Sequence, residues 1–298
     1  MSATAISSSP AIAAFERRRA ELLVQRRRAT LLYGGLLVLA LLVSAWFSEV
    51  SPARLVDGIP RFGEYLVQTV PHLEWRHLFA GTQQEGSLAY WFYRLDSWAL
   101  LLLETANIAA FATLFGTVIA FALAFLSARN TGVAPWISAA VRRVLEACRT
   151  VPEIVYALIF VWAFGIGPLA GILAILIHSV GALGKLFAEV IENTDLGAAD
   201  GVKCAGGNWV QQMRFGVLPQ VLPNFLSYAI LRFEINVRGA SVIGFVGAGG
   251  IGQELYAVIA QNYYEEISAI VVLIIVAVTL IDLASERLRK RLTEGGRA

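Results

Sequence analysis

The sequence predicts an all-α protein that crosses a membrane about six times, and three observations lead to this fold class. Only 15% of the 298 residues are charged and 57% are hydrophobic, whereas a soluble domain normally carries about 25% charged residues. Uncharged runs close to the roughly 20 residues that a helix needs to span a bilayer recur along the chain. Clusters of arginine stand at the ends of these runs, as is typical of the cytoplasmic side of membrane proteins.

The N-terminal part is predicted to form a basic cytoplasmic segment, residues 1–28, and a first transmembrane helix, residues 29–47. Six arginines that would be costly to translocate precede the apolar run, namely Arg17, Arg18, Arg19, Arg26, Arg27 and Arg28. A nucleic-acid-binding arm would also be rich in arginine, but these arginines directly adjoin a span, which favours the membrane interpretation. No cleaved signal peptide is expected, because no short apolar stretch with a cleavage site follows the polar first residues.

The rest of the chain is predicted to alternate between spans and connecting segments. Residues 48–97 are mixed in polarity and are expected to form an external loop with some amphipathic structure. Residues 98–292 are expected to form a core with further spans at about 98–126, 151–164, 169–188, 221–245 and 267–283. Arg142, Arg143 and Arg149 mark a cytoplasmic approach to the third span. A basic cluster follows the sixth span, so the tail, residues 293–298, is predicted to be cytoplasmic like the N-terminus.

Residues 189–219 are polar and are predicted to lie in the cytoplasm, where they carry a recognisable motif. The string Asp200-Gly201-Val202-Lys203-Cys204-Ala205-Gly206 is followed, after nine residues, by Gly216-Val217-Leu218-Pro219. It resembles the EAA loop of bacterial ABC importer permeases, in which Gly206, Leu218 and Pro219 fall at the family spacing. Asp200 stands in place of a glutamate, Gly201 and Val202 in place of two alanines, and Gly216 in place of an isoleucine.

The chemistry of these residues agrees with that resemblance. A glycine such as Gly206 can adopt a positive φ and turn the chain sharply after a short helix. A proline such as Pro219 is tolerated in the first turn of the next helix, where its missing N–H is not needed. The resemblance implies a rigid knob that couples to a partner ATPase through Asp200, Gly201, Val202, Ala205, Gly206, Leu218 and Pro219. An ordinary interhelical loop is the alternative.

A second resemblance narrows the family. Arg232-Phe233-Glu234-Ile235-Asn236-Val237-Arg238, the glycine-rich run from Gly247 to Gly252, and Thr150-Val151-Pro152-Glu153 look like the signature of the phosphonate permease family. The similarity extends over about residues 104–292. It implies a type I ABC importer permease core in the bacterial inner membrane that carries phosphonates, phosphite, hypophosphite or phosphate. A permease for methionine or betaine is the alternative.

The same resemblance implies the partners. They are a second copy of the chain, two cytoplasmic ATP-binding subunits and a periplasmic or extracellular substrate-binding protein, in a lipid membrane and without nucleic acid. No Gly-x4-Gly-Lys-Ser/Thr loop occurs in the chain, so ATP and Mg are expected on the partner ATPase and no cofactor on this chain.

Catalytic and metal-binding functions find little support in the sequence. No His-Glu-x-x-His, Gly-x-Ser-x-Gly or paired intramembrane aspartates point to an intramembrane enzyme, so no catalytic residue is predicted. Cys148 and Cys204 are too few for a zinc cage. A scaffold or channel subunit would not need a glycine-broken cytoplasmic knob.

Charged and polar residues inside the predicted spans form a candidate substrate path, which comprises Arg232, Glu234, Asn236, Arg238 and His178. Glu234 and Arg238 are four residues apart and can pair along one helix face. Arg232 has no acid at that spacing, so its partner must come from another helix, water or the substrate. These charges leave an expected local excess of +1 per subunit, and a structural ion-pair network is the alternative.

Four further expectations concern neighbouring residues. His178 and Lys185, seven residues apart on about the same helix face, are weaker candidates for the same cavity, and a hydrogen-bonded packing role is the alternative for His178. Glu153 and Asp282 are expected to pair with flanking arginines. The glycines of the last run are expected to break the fifth helix and to let an external gate bend, and they are Gly247, Gly249, Gly250 and Gly252.

Overall fold

A computed structural model describes residues 10–48 and 51–294, which are mostly helical and contain no strand. In chain order the helices are α1 (Pro10–Phe47), α2 (Pro52–Thr69), α3 (Leu88–Trp91), α4 (Leu95–Ser127), α5 (Pro135–Thr150), α6 (Glu153–Phe164), α7 (Pro168–Glu192), α8 (Gly197–Cys204), α9 (Trp209–Gln211), a π-helical stretch (Gln212–Val217), α10 (Leu218–Ile243), a 3-10 turn (Gly244–Val246), α11 (Ile251–Ala260) and α12 (Tyr264–Glu294). Residues 1–9, 49–50 and 295–298 lie outside the described part, so the expectation of a short C-terminal tail falls almost entirely on undescribed residues.

The chain divides into two compact units, residues 1–65 and residues 66–298. In the first unit, α1 is one continuous helix that includes both the arginine cluster and the predicted first span. The segment expected to form an external loop, residues 48–97, contains α2 and α3. Prolines stand at the start of α2 and, as Pro60, within it.

The second unit is a bundle in which α4, α7 and α10 pack against one another. Small residues allow this close approach, since a Cβ atom on Gly116 of α4 would lie 3.1 Å from the Ser179 Cβ atom of α7. Toward one end of the bundle Phe187 and Phe225 stack with ring centroids 4.1 Å apart. A second core cluster contains Ile108, Ile175 and Val237 from the same three helices, together with further aliphatic residues.

Within residues 10–48 and 51–294, four helices are individually long and apolar enough to span a membrane, namely α1, α4, α7 and α12. A fifth crossing is possible if α9, α10 and α11 form one span, which is bent by 44° near the glycine-rich run. These elements match the predicted first, second, fourth, fifth and sixth spans. Some of them differ in extent: α1 begins well before the predicted first span, α12 extends beyond the predicted sixth span at both ends, and a separate helix, α11, precedes α12.

The predicted third span is wrong in extent. The apolar helix α6 has 12 residues, about 18 Å at 1.5 Å per residue, which falls short of a bilayer core of about 30 Å. Pro152 disfavours helical backbone at Val151, which adopts φ −78° and ψ 126° and ends α5. Both α5 and α6 pack along α7. A crossing in this region would therefore have to include both helices, and α5 packs on the bundle rather than only leading up to it.

Candidate coupling segment and intramembrane polar cluster

The candidate coupling segment begins after α7 and has the local geometry that its sequence predicts. The helix α8 ends at Cys204, and Gly206 follows with φ +84°, a backbone conformation that strongly favours glycine. Asn208 then caps α9, since its side chain accepts a hydrogen bond from the Gln211 N–H. The next membrane helix, α10, begins at Leu218 with Pro219 in its first turn.

Close packing explains one departure from the family motif. A Cβ atom on Gly216 would lie 2.5 Å from the Ala199 Cα atom, so the isoleucine of the motif has no room here. Gly207 is similarly close to Val202, where a Cβ atom would lie 2.5 Å from a side-chain methyl. The helix α8 is thereby held against the π-helical stretch, which the sequence did not predict. Its opposite face is exposed and includes Asp200, Gly201, Ala205 and Gly206.

Contacts that the sequence did not reveal attach this segment to the bundle. The Trp209 indole N–H donates a hydrogen bond to the Thr131 carbonyl oxygen at 2.8 Å, in the turn after α4. The Asn130 side chain donates to the Ile191 carbonyl oxygen at 2.9 Å, near the end of α7. Arg142 of α5 forms an ion pair with Glu192, the last residue of α7. These contacts would therefore transmit a displacement of the coupling segment to α4, α5 and α7.

A polar cluster lies between α6, α7 and α10. Arg232 forms an ion pair with Glu153, with 2.6 Å between Nη2 and Oε1, and the two side chains are only 11% and 16% exposed. His178 Nδ1 lies 2.5 Å from the same carboxylate oxygen. The Arg232 Nε–H also donates to the Ser179 hydroxyl at 3.2 Å. The expectation that Glu153 pairs with a flanking arginine is therefore wrong, because the folded bundle brings its carboxylate to Arg232.

Asn236 occupies the packed interior next to this cluster and is fully buried. Its side-chain N–H groups donate to the hydroxyl groups of Thr113 at 2.8 Å and Ser179 at 2.9 Å. Within the described residues its side-chain oxygen has no hydrogen-bond partner. The Thr113 hydroxyl itself donates to the Ala109 carbonyl oxygen at 2.6 Å, so it accepts from Asn236, as this orientation of the amide requires.

The predicted pair on α10 is present, since Arg238 Nη2 and Glu234 Oε1 are 2.7 Å apart. With Glu153 included, the two arginines of α10 face two carboxylates. The excess of +1 expected from Arg232, Glu234 and Arg238 is therefore wrong for these groups, because Glu153 lies far from α10 in the sequence and close to it in the fold.

Two other expectations about charged residues also fail. Lys185 lies 3.8 Å from Glu189 of its own helix, with both side chains about half exposed, and does not join His178. Within residues 10–48 and 51–294, Asp282 forms no ion pair with a flanking arginine, and its buried Oδ1 atom has no hydrogen-bond partner.

The glycine-rich run breaks the fifth helix as predicted. Gly247, Gly249 and Gly250 adopt φ values of +86°, +85° and +74°. Gly252 serves close packing instead, because a Cβ atom there would lie 1.9 Å from the Ser241 carbonyl oxygen. The Glu104 carboxylate accepts a hydrogen bond from the Gly250 N–H at 3.2 Å, a role for this intramembrane acid that the sequence did not indicate.

Comparison with known proteins agrees with this geometry. The model of the family described as "Binding-protein-dependent transport system inner membrane component" matches residues 116–295. The chain is 42% identical over 194 residues to the phosphite transport system permease protein PtxC of Stutzerimonas stutzeri, covering 65% of this chain and 70% of that protein. It is 35% identical over 262 residues to the phosphate-import permease protein PhnE of Mycolicibacterium smegmatis, covering 87% of this chain but 45% of that protein.

Among solved structures, an inward-facing form of the MetNI methionine ABC transporter resembles the chain with a TM-score of 0.57 and 21% identity. The similarity covers 65% of this chain and 95% of the matched chain. It shows that the two share a fold, which is the type I ABC importer permease fold that the motif implied. The family match extends over more than half of the sequence and includes the coupling segment, α10 and α12. The chain thus belongs to the family of binding-protein-dependent transport system inner membrane components, as a membrane-spanning permease.

Proposed function

We propose that the chain is the permease subunit of an ATP-driven importer for phosphonates or related phosphorus oxyanions, which include phosphite, hypophosphite and phosphate. The observation that carries the substrate class is the 42% identity to a phosphite permease. The match to a phosphate-import permease over most of this chain supports the same class. The likeness to a methionine transporter supports the fold alone, since the sequences are only 21% identical.

The exposed face of α8 is the proposed contact with a cytoplasmic ATPase. Asp200, Gly201 and Gly206 are exposed there, while Ala199 on the opposite face is buried. Because each chain offers one such segment, two copies of the chain would serve two ATPase subunits as a symmetric dimer. ATP and Mg would bind to those ATPase subunits, and this chain would bind no cofactor.

The same contacts support a proposed orientation in the membrane. The coupling segment is bonded to the turn that follows α4, at the end of α4 where Arg129 and Arg142 also lie. The opposite end of this 33-residue helix is about 50 Å away, and there Trp98 of α4 shares a buried core cluster with Ile267 and Ile270 near the start of α12. We place the first end in the cytoplasm of a bacterium, together with both termini of the chain, and the second end outside, where a substrate-binding protein would deliver its cargo.

The proposed route passes the polar cluster. Arg232, His178, Glu234 and Arg238 are the residues we assign to it, while Asn236 supports them from the packed interior. The glycine break, Gly247 to Gly252, is the proposed external gate. The gate would pivot at the backbone torsions of its positive-φ glycines, since Gly252 is too tightly packed against α10 to move alone.

Transport by purified components tests this function. The permease would be reconstituted in liposomes with its ATPase and binding protein, and ATP-dependent uptake of labelled phosphite, methylphosphonate, phosphate, methionine and betaine would be compared. Uptake of at least one phosphorus oxyanion, and of neither methionine nor betaine, is the expected result. Uptake of methionine or betaine alone would assign the chain to the alternative substrate class.

The coupling role has a separate test. Replacing Gly206, which has φ +84°, by valine forces a β-branched residue into a conformation that it rarely adopts. The Gly206→Val complex should assemble, yet lose the stimulation of ATP hydrolysis by the loaded binding protein. Stimulation at the wild-type level would show that the turn at Gly206 is not needed for coupling.

A further inference from the structure

The helix α5 places a strip of polar side chains deep in the membrane. Its Leu145 packs on α7 so closely that a Cβ atom on Gly181 would lie 2.6 Å from the Leu145 carbonyl oxygen. His178 Nε2 lies 3.2 Å from the Arg149 carbonyl oxygen. Since α7 has 25 residues and is about 37 Å long, residues 178–181 lie near its middle. The end of α5 at Arg149 therefore lies near the middle of the bilayer.

At this depth most of the arginines are neutralised by a carboxylate within the chain. Arg232 pairs with Glu153, and Arg238 pairs with Glu234. Nearer the start of α5, Arg142 pairs with Glu192 and Arg143 with Glu146.

Arg149 differs from these four arginines. Its side chain is exposed, and it makes no ion pair or hydrogen bond with the residues described, 10–48 and 51–294. Arg149, beside the polar cluster, is therefore the arginine without a carboxylate partner among these five, whereas Arg232 finds its partner on another helix, one of the sources that the sequence left open.

An unpaired guanidinium at this depth cannot face lipid without a large cost. Charged side chains inside membranes face the bundle interior or a water-filled cavity. The backbone beside it gives independent support, because the chain leaves the helical conformation at Val151 and Pro152. Irregular backbone at membrane depth is tolerated only where it is buried in protein or lines an aqueous cavity. Thr150, next to this break, is exposed.

We infer that Arg149 lines a water-filled route on the cytoplasmic half of the permease and is the residue that contacts the transported oxyanion there. This inference rests on the proposed function. A guanidinium offers several N–H donors in a planar fork, which suits the oxygens of a tetrahedral anion. A single unpaired cation attracts such an anion without enclosing it, as transport requires, since tight binding would prevent release.

Uptake measurements on charge-removing and charge-keeping variants test this role. In the liposomes described above, Arg149→Gln should slow phosphite uptake at least about tenfold through loss of one charge contact, whereas Arg149→Lys should stay within about threefold. The matched control is Arg129→Gln. Arg129 is an exposed arginine in the turn after α4, beyond the membrane-spanning part. Phosphite uptake by the Arg129→Gln variant should therefore differ from that of the wild type by less than about twofold. Equal uptake by Arg149→Gln and wild type would overturn the inference.

A second measurement does not depend on the loss of activity. In a background where Cys148 and Cys204 are serine, Arg149→Cys should react with a membrane-impermeant, negatively charged thiol reagent, and phosphite should slow the reaction. Absence of labelling would show that the position faces no water. Failure of the Arg149→Gln variant to assemble beside an assembled Arg149→Lys variant would assign Arg149 to a structural ion pair with another subunit and overturn the inference.

The outcomes separate this inference from the proposed function. If the wild type carries none of the phosphorus oxyanions, the proposed function fails. If the wild type carries phosphite and Arg149→Gln carries it equally fast, only the role of Arg149 fails.

Discussion

Removing the Glu153 carboxylate while keeping its shape should destabilise the folded protein strongly. In Glu153→Gln, the guanidinium of Arg232 would remain 11% exposed and would lose the carboxylate 2.6 Å away. Leaving one partner of a buried ion pair uncompensated costs about 3–5 kcal/mol. We expect the lower end, about 3 kcal/mol, because the amide oxygen of the introduced glutamine and the Ser179 hydroxyl can still accept hydrogen bonds from Arg232.

The expected change is large enough to measure by thermal unfolding. At somewhat under about 2 °C per kcal/mol for a chain of this size, the unfolding temperature should fall by roughly 5 °C. The assay is the tryptophan fluorescence of the purified protein in detergent, recorded at one fixed scan rate because such transitions are often irreversible.

The chain offers a matched control for this prediction. Glu234 forms an ion pair of similar length, 2.7 Å, but its partner Arg238 is 49% exposed. Glu234→Gln should therefore cost no more than about 1 kcal/mol. Adding Arg232→Gln to Glu153→Gln should recover part of the loss, because no uncompensated charge then remains. Equal shifts for the two Glu variants, or strict additivity in the double variant, would refute the reasoning.

Three further predictions concern packing and protonation. Gly216→Ile, which restores the residue of the family motif, should displace α8 from the π-helical stretch and abolish the stimulation of ATP hydrolysis by loaded binding protein. Gly252→Ala should lower the unfolding temperature by several degrees, because the added Cβ atom would lie 1.9 Å from a backbone carbonyl oxygen. The control Gly201→Ala should leave the unfolding temperature unchanged, because no atom lies within 4 Å of the Cβ position there. Partial burial, aided by a hydrogen bond to Glu266, raises the pKa of Tyr93 to about 12. The contribution of the neutral phenol to the free energy of unfolding should therefore be complete below pH 10, the usual tyrosine pKa, and should be lost as the pH rises to about 12. In alkaline unfolding experiments, Tyr93→Phe should not show this loss.

Local patterns in the sequence predicted the elements whose cause is local. The apolar runs predicted α4, α7 and α10 to within a few residues, because the length of a membrane helix follows from bilayer thickness. The turn at Gly206 and the helix start at Pro219 follow from the φ preferences of glycine and proline. The Glu234 to Arg238 pair follows from helical spacing alone.

Local patterns in the sequence did not predict that α5 belongs to the helical bundle. A run of apolar residues marked α6, but α5 carries arginines and has the pattern of a surface helix. Only its packing on Gly181 and Gly184 of α7 shows that it belongs to the bundle. Hydropathy measures the mean polarity of a segment. It therefore does not show that an amphipathic helix can pack its apolar face on the bundle and direct its polar face elsewhere.

By itself, then, the sequence determined the membrane class, the order of most spans, the coupling motif and the family, because each depends on composition or on residues close together in the chain. Tertiary structure alone decided the charge balance of the polar cluster. Glu153 and Arg232 are 79 residues apart and meet at 2.6 Å only when α6 and α10 pack together. Which carboxylate meets which arginine depends on helix packing, and for that reason Arg149, unlike Arg232 and Arg238, has no carboxylate partner among residues 10–48 and 51–294.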